Sequence, residues 1–139
     1  MDTKKLAKLL TTQLSGSKDL TIIIGHLAPY VLDPADIDFV AVLRRSPYEL
    51  IRTFEQRNYS IHKIRENVAS EIIGVCLYDS LQTFGKEKIA ELDTTSKRPE
   101  DIATQIILAL NQKSPKKIGT VDWLSLVHQK GDLRKFLEY

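Results

Sequence analysis

The stretch DFVAVLRRSPYELIRTF, Asp38 to Phe54, sets two hydrophobic patterns back to back. Phe39 to Leu43 is a short continuous apolar run, which suits a strand buried on both faces. Ser46-Pro47-Tyr48-Glu49 then opens a helix. Ser46 can cap it, Pro47 sits in the first turn where no amide hydrogen is missed, and Glu49 can reach back to complete a capping box. A buried strand leading into a capped helix is the unit from which α/β domains are built.

The flanking sequence repeats the theme. LTIIIGH, Leu20 to His26, is a β-branched run that predicts another buried strand, and KIAELDTT predicts a third. Leu6, Leu9, Leu10 and Leu14 share one helical face, ended by Ser15-Gly16. Asn58 can break the helix that Ser46 starts, and Ser60 can cap the next. That next helix carries Ile61, Ile64, Val68 and Ile72 on one stripe and is expected to continue through Val75 towards Leu81, with Gly85 as its stop. Arg98-Pro99-Glu100-Asp101 is a further proline-led, acid-rich helix start. SPKKIG, Ser114 to Gly119, reads as a solvated tether to one or two short helices around Trp123 and Phe136.

Alternating strands and helices predict an α/β domain with a mainly parallel sheet flanked by helices. Ligands meet such sheets at the carboxyl ends of the strands. The residues expected there are His26, then Arg44 and Arg45, then Asp93 to Thr95.

Composition narrows the classes. The chain has 139 residues, 42% hydrophobic and 27% charged, which fits one globular domain. A net charge of +2 argues against a nucleic-acid-coating protein. One cysteine, Cys76, allows no internal disulfide and is expected to be buried. The N-terminus lacks the apolar core of a signal peptide, and no run could span a bilayer, so a cytoplasmic protein without membrane contact is expected. The three histidines show no zinc-like spacing with cysteine, so no metal ligand set is read.

The chain becomes specific at RNYSIHKIRENVASEI, Arg57 to Ile72. Arg57, Tyr59, His62, Lys63, Arg65 and Asn67 crowd one turn-to-helix junction. A solvated helix start would explain them, and so would an anion-binding lid over a phosphate. With TIIIGH, VAVLRRSPYEL and ELDTTSKRPEDI in the same order, the junction resembles a small adenylate-kinase-like family of archaea and eukaryotes, and VDWL (Val121 to Leu124) resembles the tail of its archaeal members.

The resemblance implies a P-loop nucleoside-monophosphate-kinase-like fold, ATP and magnesium as cofactors, and AMP phosphorylation coupled with ATPase activity. It also implies a role in maturing the small ribosomal subunit through a ribosomal protein, with ribosomal RNA as a further partner. It makes Arg57, Arg44 and Lys63 the ATP- and phosphate-binding residues, Tyr59 and Asn67 parts of a lid at about 56–66, and His26 the catalytic residue of an acidic-His motif whose acidic place holds Ile24. Residues 1–113 would form the kinase-like domain and 114–139 a helical tail.

No G-x-x-x-x-G-K-[ST] phosphate loop occurs in the chain. The fold expected is therefore this kinase-like sheet without its first strand and helix. In the family that strand lies between those matched by TIIIGH and DFVAVLRR, so both are expected to miss a neighbour. The chain as it stands is expected to be inactive. The alternative reading is a non-catalytic module of the same fold that binds a ribosomal protein or RNA.

Overall fold

The computed structural model describes residues 2–16, 18–113 and 116–137. Two strands, β1 (Val40–Arg44) and β2 (Ile89–Asp93), pair in parallel, with Val40 opposite Ile89 and Arg44 opposite Asp93. Parallel strands need a long crossover. Three helices supply it: α3 (Pro47–Gln56), α4 (Ile61–Ile73) and α5 (Val75–Phe84). Before β1 come α1 (Thr3–Leu14) and the single-turn α2 (Ala28–Val31); after β2 come α6 (Pro99–Leu110), α7 (Trp123–Gln129) and α8 (Leu133–Leu137). The fold is α/β, a parallel sheet flanked by helices, as the sequence predicts. No helix of the described residues is long and apolar enough to cross a membrane.

Two apolar cores form. Val42 and Ile89 point from one sheet face into Val31, Leu32 and Phe84, and the inner sides of α1 and α5 pack around them. The second core joins Val68 and Ile72 of α4 to Trp123, Val127 and Phe136, with Tyr48, Ile51 and Phe54 of α3 beside them. The C-terminal helices therefore complete a core. Ser114 and Pro115 of the expected tether lie outside the described residues. From Lys117 onward the segment is anchored to β2: the Glu91 amide donates to the Lys117 carbonyl at 2.9 Å.

Four expectations need correction. TIIIGH forms no strand. It runs as irregular chain with Leu20, Ile22 and Ile24 at 78%, 76% and 93% exposure, while Ile23 packs on the first core. Only Ile23 of the run turns inward, and a strand also needs a partner for its backbone groups. The sheet holds two strands only, and no backbone bond among the described residues reaches β1 from its other side.

The long helix expected after Ser60 is two helices. Gly74 adopts φ +75° between α4 and α5, a left-handed conformation that glycine accepts without strain, and the Arg44 guanidinium packs about 3.6 Å from where a β-carbon would stand.

The capping box at Ser46 is not made. Ser46 makes no side-chain cap bond, and Glu49 turns instead to the amide and hydroxyl of Ser96 at 3.1 and 2.8 Å. Cys76, finally, is exposed. It stands one place off the Leu77–Leu81–Phe84 stripe that α5 presents to the first core.

The opposite sheet face is half covered. Strand alternation puts Ala41, Leu43, Ala90 and Leu92 there. Helix α6 packs on β2, Leu43 stays half exposed, and Ile107 and Leu110 of α6 face outward at 55% and 38% exposure. Among the described residues the outer edge of β1 has no backbone partner, and the apolar face beside it is only partly covered.

Candidate functional site

Asn58, at φ +56°, ends the turn after α3, and the Ser60 hydroxyl caps α4 by accepting from the Lys63 amide at 3.3 Å. The first turn of α4 carries His62 and Lys63 and no acidic residue. Helix α3 has Glu49 and α6 has Glu100 and Asp101 in their first turns, whereas α1, α5 and α7, like α4, have no acid there. A helix N-terminus is already positive, and acids ordinarily neutralise it. Here Lys63 adds to the positive end of the α4 dipole, Arg57 stands exposed just before it at the C-cap of α3, and neither cation has an ion-pair partner among the described residues.

Tyr59 organises this junction. Its ring stacks on Phe54 with centroids 5.3 Å apart, and the Lys63 ammonium lies 3.8 Å over its centre. The contact holds Lys63 by cation–π attraction while its donors stay open to an anion. Asn67 donates its amide to the Lys63 carbonyl at 2.8 Å, bracing the helix backbone. His62 pairs with Glu66 at 3.5 Å and is fully on the surface. Tyr59, Lys63 and Asn67 are thus gathered on the start of α4, with Arg57 just before it at the C-cap of α3.

Arg44 is not part of that gathering. Expected at a phosphate, its guanidinium is turned inward at 3% exposure and gives Nε to Glu71 at 2.7 Å, Nη1 to Glu91 at 2.6 Å and Nη2 to the Glu71 carbonyl at 2.8 Å. Strand alternation dictates this: Val42 and Arg44 share the covered face, so a cation there must be paired. Glu91 uses its second oxygen to accept from the Gly119 and Thr120 amides at 2.7 and 3.2 Å. Glu71 also takes the Trp123 indole N–H at 2.9 Å.

Glu71, Glu91 and Trp123 were not singled out as a set by sequence reasoning. One signal was available. Glu91 interrupts the apolar run IAEL, and a carboxylate in a buried strand demands a partner.

The loops beyond β1 and β2 are tied to each other. The Ser46 amide donates to the Thr95 hydroxyl, the Thr94 amide and hydroxyl both donate to the Arg44 carbonyl, and Asp93 accepts from the Thr95 amide, all at 2.8 to 2.9 Å. Glu49 lies here with its carboxyl held below the usual range, first by the Ser96 hydroxyl and further by the Ser96 amide and Arg45. Arg45 pairs with Glu49 at 2.9 Å on the surface. An open groove of about 410 Å³ begins at this end, with Leu92, Leu108 and Ala109 as floor and Asp93, Lys97 and Gln105 at its rim.

His26 lies exposed in the turn between the unpaired TIIIG segment and α2. Among the described residues no group of three or more His, Cys, Asp or Glu side chains could hold a metal ion.

No protein-family model matches the chain. Curated archaeal proteins do, each bearing the name "Putative adenylate kinase". The Methanococcus maripaludis protein is 39% identical over 124 residues, which is 89% of this chain and 64% of that protein. The Thermococcus onnurineus protein is 34% identical over 88% of this chain and 64% of its own length. For the Pyrococcus furiosus protein the identity is 32%, over 93% of this chain and 67% of that one. The chain thus spans about two thirds of the length of the curated relatives it matches.

Proposed function

The chain belongs to the same family as these archaeal adenylate-kinase-like proteins, and we propose that it is the nucleotide-holding part of an enzyme that transfers a phosphoryl group between ATP and AMP. The observation that carries this reading is the exposed Lys63 in the acid-free first turn of α4, with Arg57 just before that helix at the C-cap of α3 and neither side chain ion-paired among the described residues. Phosphoryl transfer is catalysed chiefly by positioning and by charge placed where the transferring group becomes negative. Arg57 can grip two phosphate oxygens at once, while Lys63, steadied by Tyr59, acts as a point charge. His26 orients the attacking group or relays its proton.

The apolar floor of the groove beside Asp93 and Lys97 suits a nucleotide base. Magnesium, which the described residues offer no ligand set of their own, would come with the nucleotide, neutralising phosphate charge while phosphates and water hold it.

The open edge of β1 and the uncovered Leu43–Ile107 face fit a strand followed by a helix. A phosphate-binding loop between them would stand at the carboxyl end of the sheet, and we assign it to the third of the relatives that has no counterpart here. The test is completion in trans. Co-expression with the unmatched segment of the Pyrococcus furiosus relative is expected to give a one-to-one complex that forms ADP from ATP and AMP, while the chain alone forms none. A stable complex without turnover would favour a non-catalytic binding module of this fold. Robust turnover by the chain alone would refute the need for completion.

A further inference from the structure

Helix α4 is held most heavily towards its C-terminal end, where Val68 and Ile72 are buried in the second core, while Ile64 and the Lys63–Tyr59–Phe54 contact hold its first half. On its first half Ile61, His62, Lys63, Arg65, Glu66 and Asn67 are all exposed, and Ile64 alone reaches the core. On its last turn Glu71 is the meeting point of three elements. Its Oε1 accepts from Arg44 Nε of β1 at 2.7 Å, from the Arg45 amide at 3.2 Å and from the Trp123 indole of α7 at 2.9 Å. Its carbonyl accepts from Arg44 Nη2 at 2.8 Å.

We propose that Glu71 is a positioning residue, the fulcrum of the α4 lever, and that the C-terminal segment sets the lever's attitude through Trp123. The function of the lever rests on the lid reading given above; the linkage itself does not. Two attachments of the C-terminal segment converge on one cation. Gly119 and Thr120 bind Glu91, Trp123 binds Glu71, and Arg44 bridges the two carboxylates. Moving the segment therefore redistributes charge at the foot of α4. With the foot tied to the sheet and the polar side of the first half exposed, a rotation at Glu71 carries along the helix to Lys63, about two helical turns away. An anion drawn to Lys63 pushes the same linkage the other way, as reciprocity requires. Trp123 is the only tryptophan in the chain, so its emission reports the surroundings of this indole, the bond to Glu71 among them.

Hydrogen exchange on the full chain decides the matter. Trp123→Phe and Glu71→Gln are each expected to speed exchange across residues 61–68 by roughly three- to thirtyfold, with α1 and α6 unchanged. Residues acting as one unit give non-additive changes, so the double variant is expected to exchange no faster than Glu71→Gln alone. Val127→Ala, which loosens the same core without touching Glu71, separates linkage from general destabilisation. Additive effects, or equal acceleration at 61–68 by Val127→Ala, would overturn the proposal, as would unchanged exchange there in Trp123→Phe.

Inorganic pyrophosphate is the second probe. It is expected to shift Trp123 emission in the parent chain and in Val127→Ala but not in Arg57→Ala. Calorimetric binding without an emission change would refute the coupling. An absence of binding would instead count against α4 as an anion site in the chain alone, and the exchange cycle would still decide the linkage.

Discussion

Arg44 and Glu91 meet diagonally across the strand pair at 2.6 Å, and their side chains are 4% and 0% exposed. Removing one partner of such a pair strands the other charge in a place water cannot reach. Arg44→Ala leaves both Glu91 and Glu71 without their cation, and the expected cost is about 3–5 kcal/mol. Arg45→Ala, one residue on, removes a surface pair and is expected to change stability by less than about 1 kcal/mol. Urea unfolding of the two variants checks the contrast. Equal, small losses would show that Arg44 is not the internal tie the geometry describes.

Ile22 and Ile24 predict a solution property. A row of exposed apolar side chains is a template for association with another chain. Ile22→Lys with Ile24→Lys is expected to reduce self-association of the isolated chain in light scattering. The same double variant is expected to weaken assembly with the strand–helix segment offered in trans. Improved solubility with undiminished assembly would show that this row does not border the vacant strand position.

Glu49 sets a pH dependence. Its carboxyl is held low in the fold, chiefly by the Ser96 hydroxyl, so the folded state binds fewer protons than the unfolded one as acid is added. The stabilisation is therefore complete above the unfolded value, near 4.5, and is lost as pH falls through the lowered folded value. Glu49→Gln is expected to flatten the acid limb of a stability–pH curve below about pH 5, with little change in its shape near neutrality. An unchanged acid limb would assign the steepness to other carboxylates.

Local patterns in the sequence predicted most elements because each carries its own signal. Pro47 and Pro99 open α3 and α6, and Asn58 closes the turn after α3. What failed depended on neighbours. LTIIIGH has the residues of a buried strand, yet a strand is made by its partner and none stands beside it. Gly74 looked like an interior glycine in a periodic helix, and only its approach to Arg44 shows why the chain turns there. Arg44 itself was read at the end of a strand as a ligand to phosphate. Its true partners lie 27 and 47 residues away in sequence, a separation no local spacing reveals. The turn at Asn58 and the cap at Ser60 are legible because their signals lie within a few residues of each other.

That junction supports the remaining prediction. Arg57 is exposed at the end of α3 and unpaired among the described residues, whereas Arg45 already spends its guanidinium on Glu49. An interaction that strengthens as the transferring group gains charge lowers the barrier, while one already satisfied inside the protein does not. In the complex completed with a phosphate loop, Arg57→Ala is expected to lower turnover by about ten- to a thousandfold, the usual range for losing one such donor. Arg45→Ala is expected to change it by less than about threefold. Tyr59→Leu removes the ring that holds Lys63 but leaves the ammonium in place, so its effect belongs between them and mainly on the affinity for ATP. Steady-state rates for the three variants, with complex formation verified for each, distinguish the lid from a solvated helix start. If Arg57→Ala and Arg45→Ala slow the reaction equally and slightly, the charges at the start of α4 serve solubility and the phosphate contact lies elsewhere.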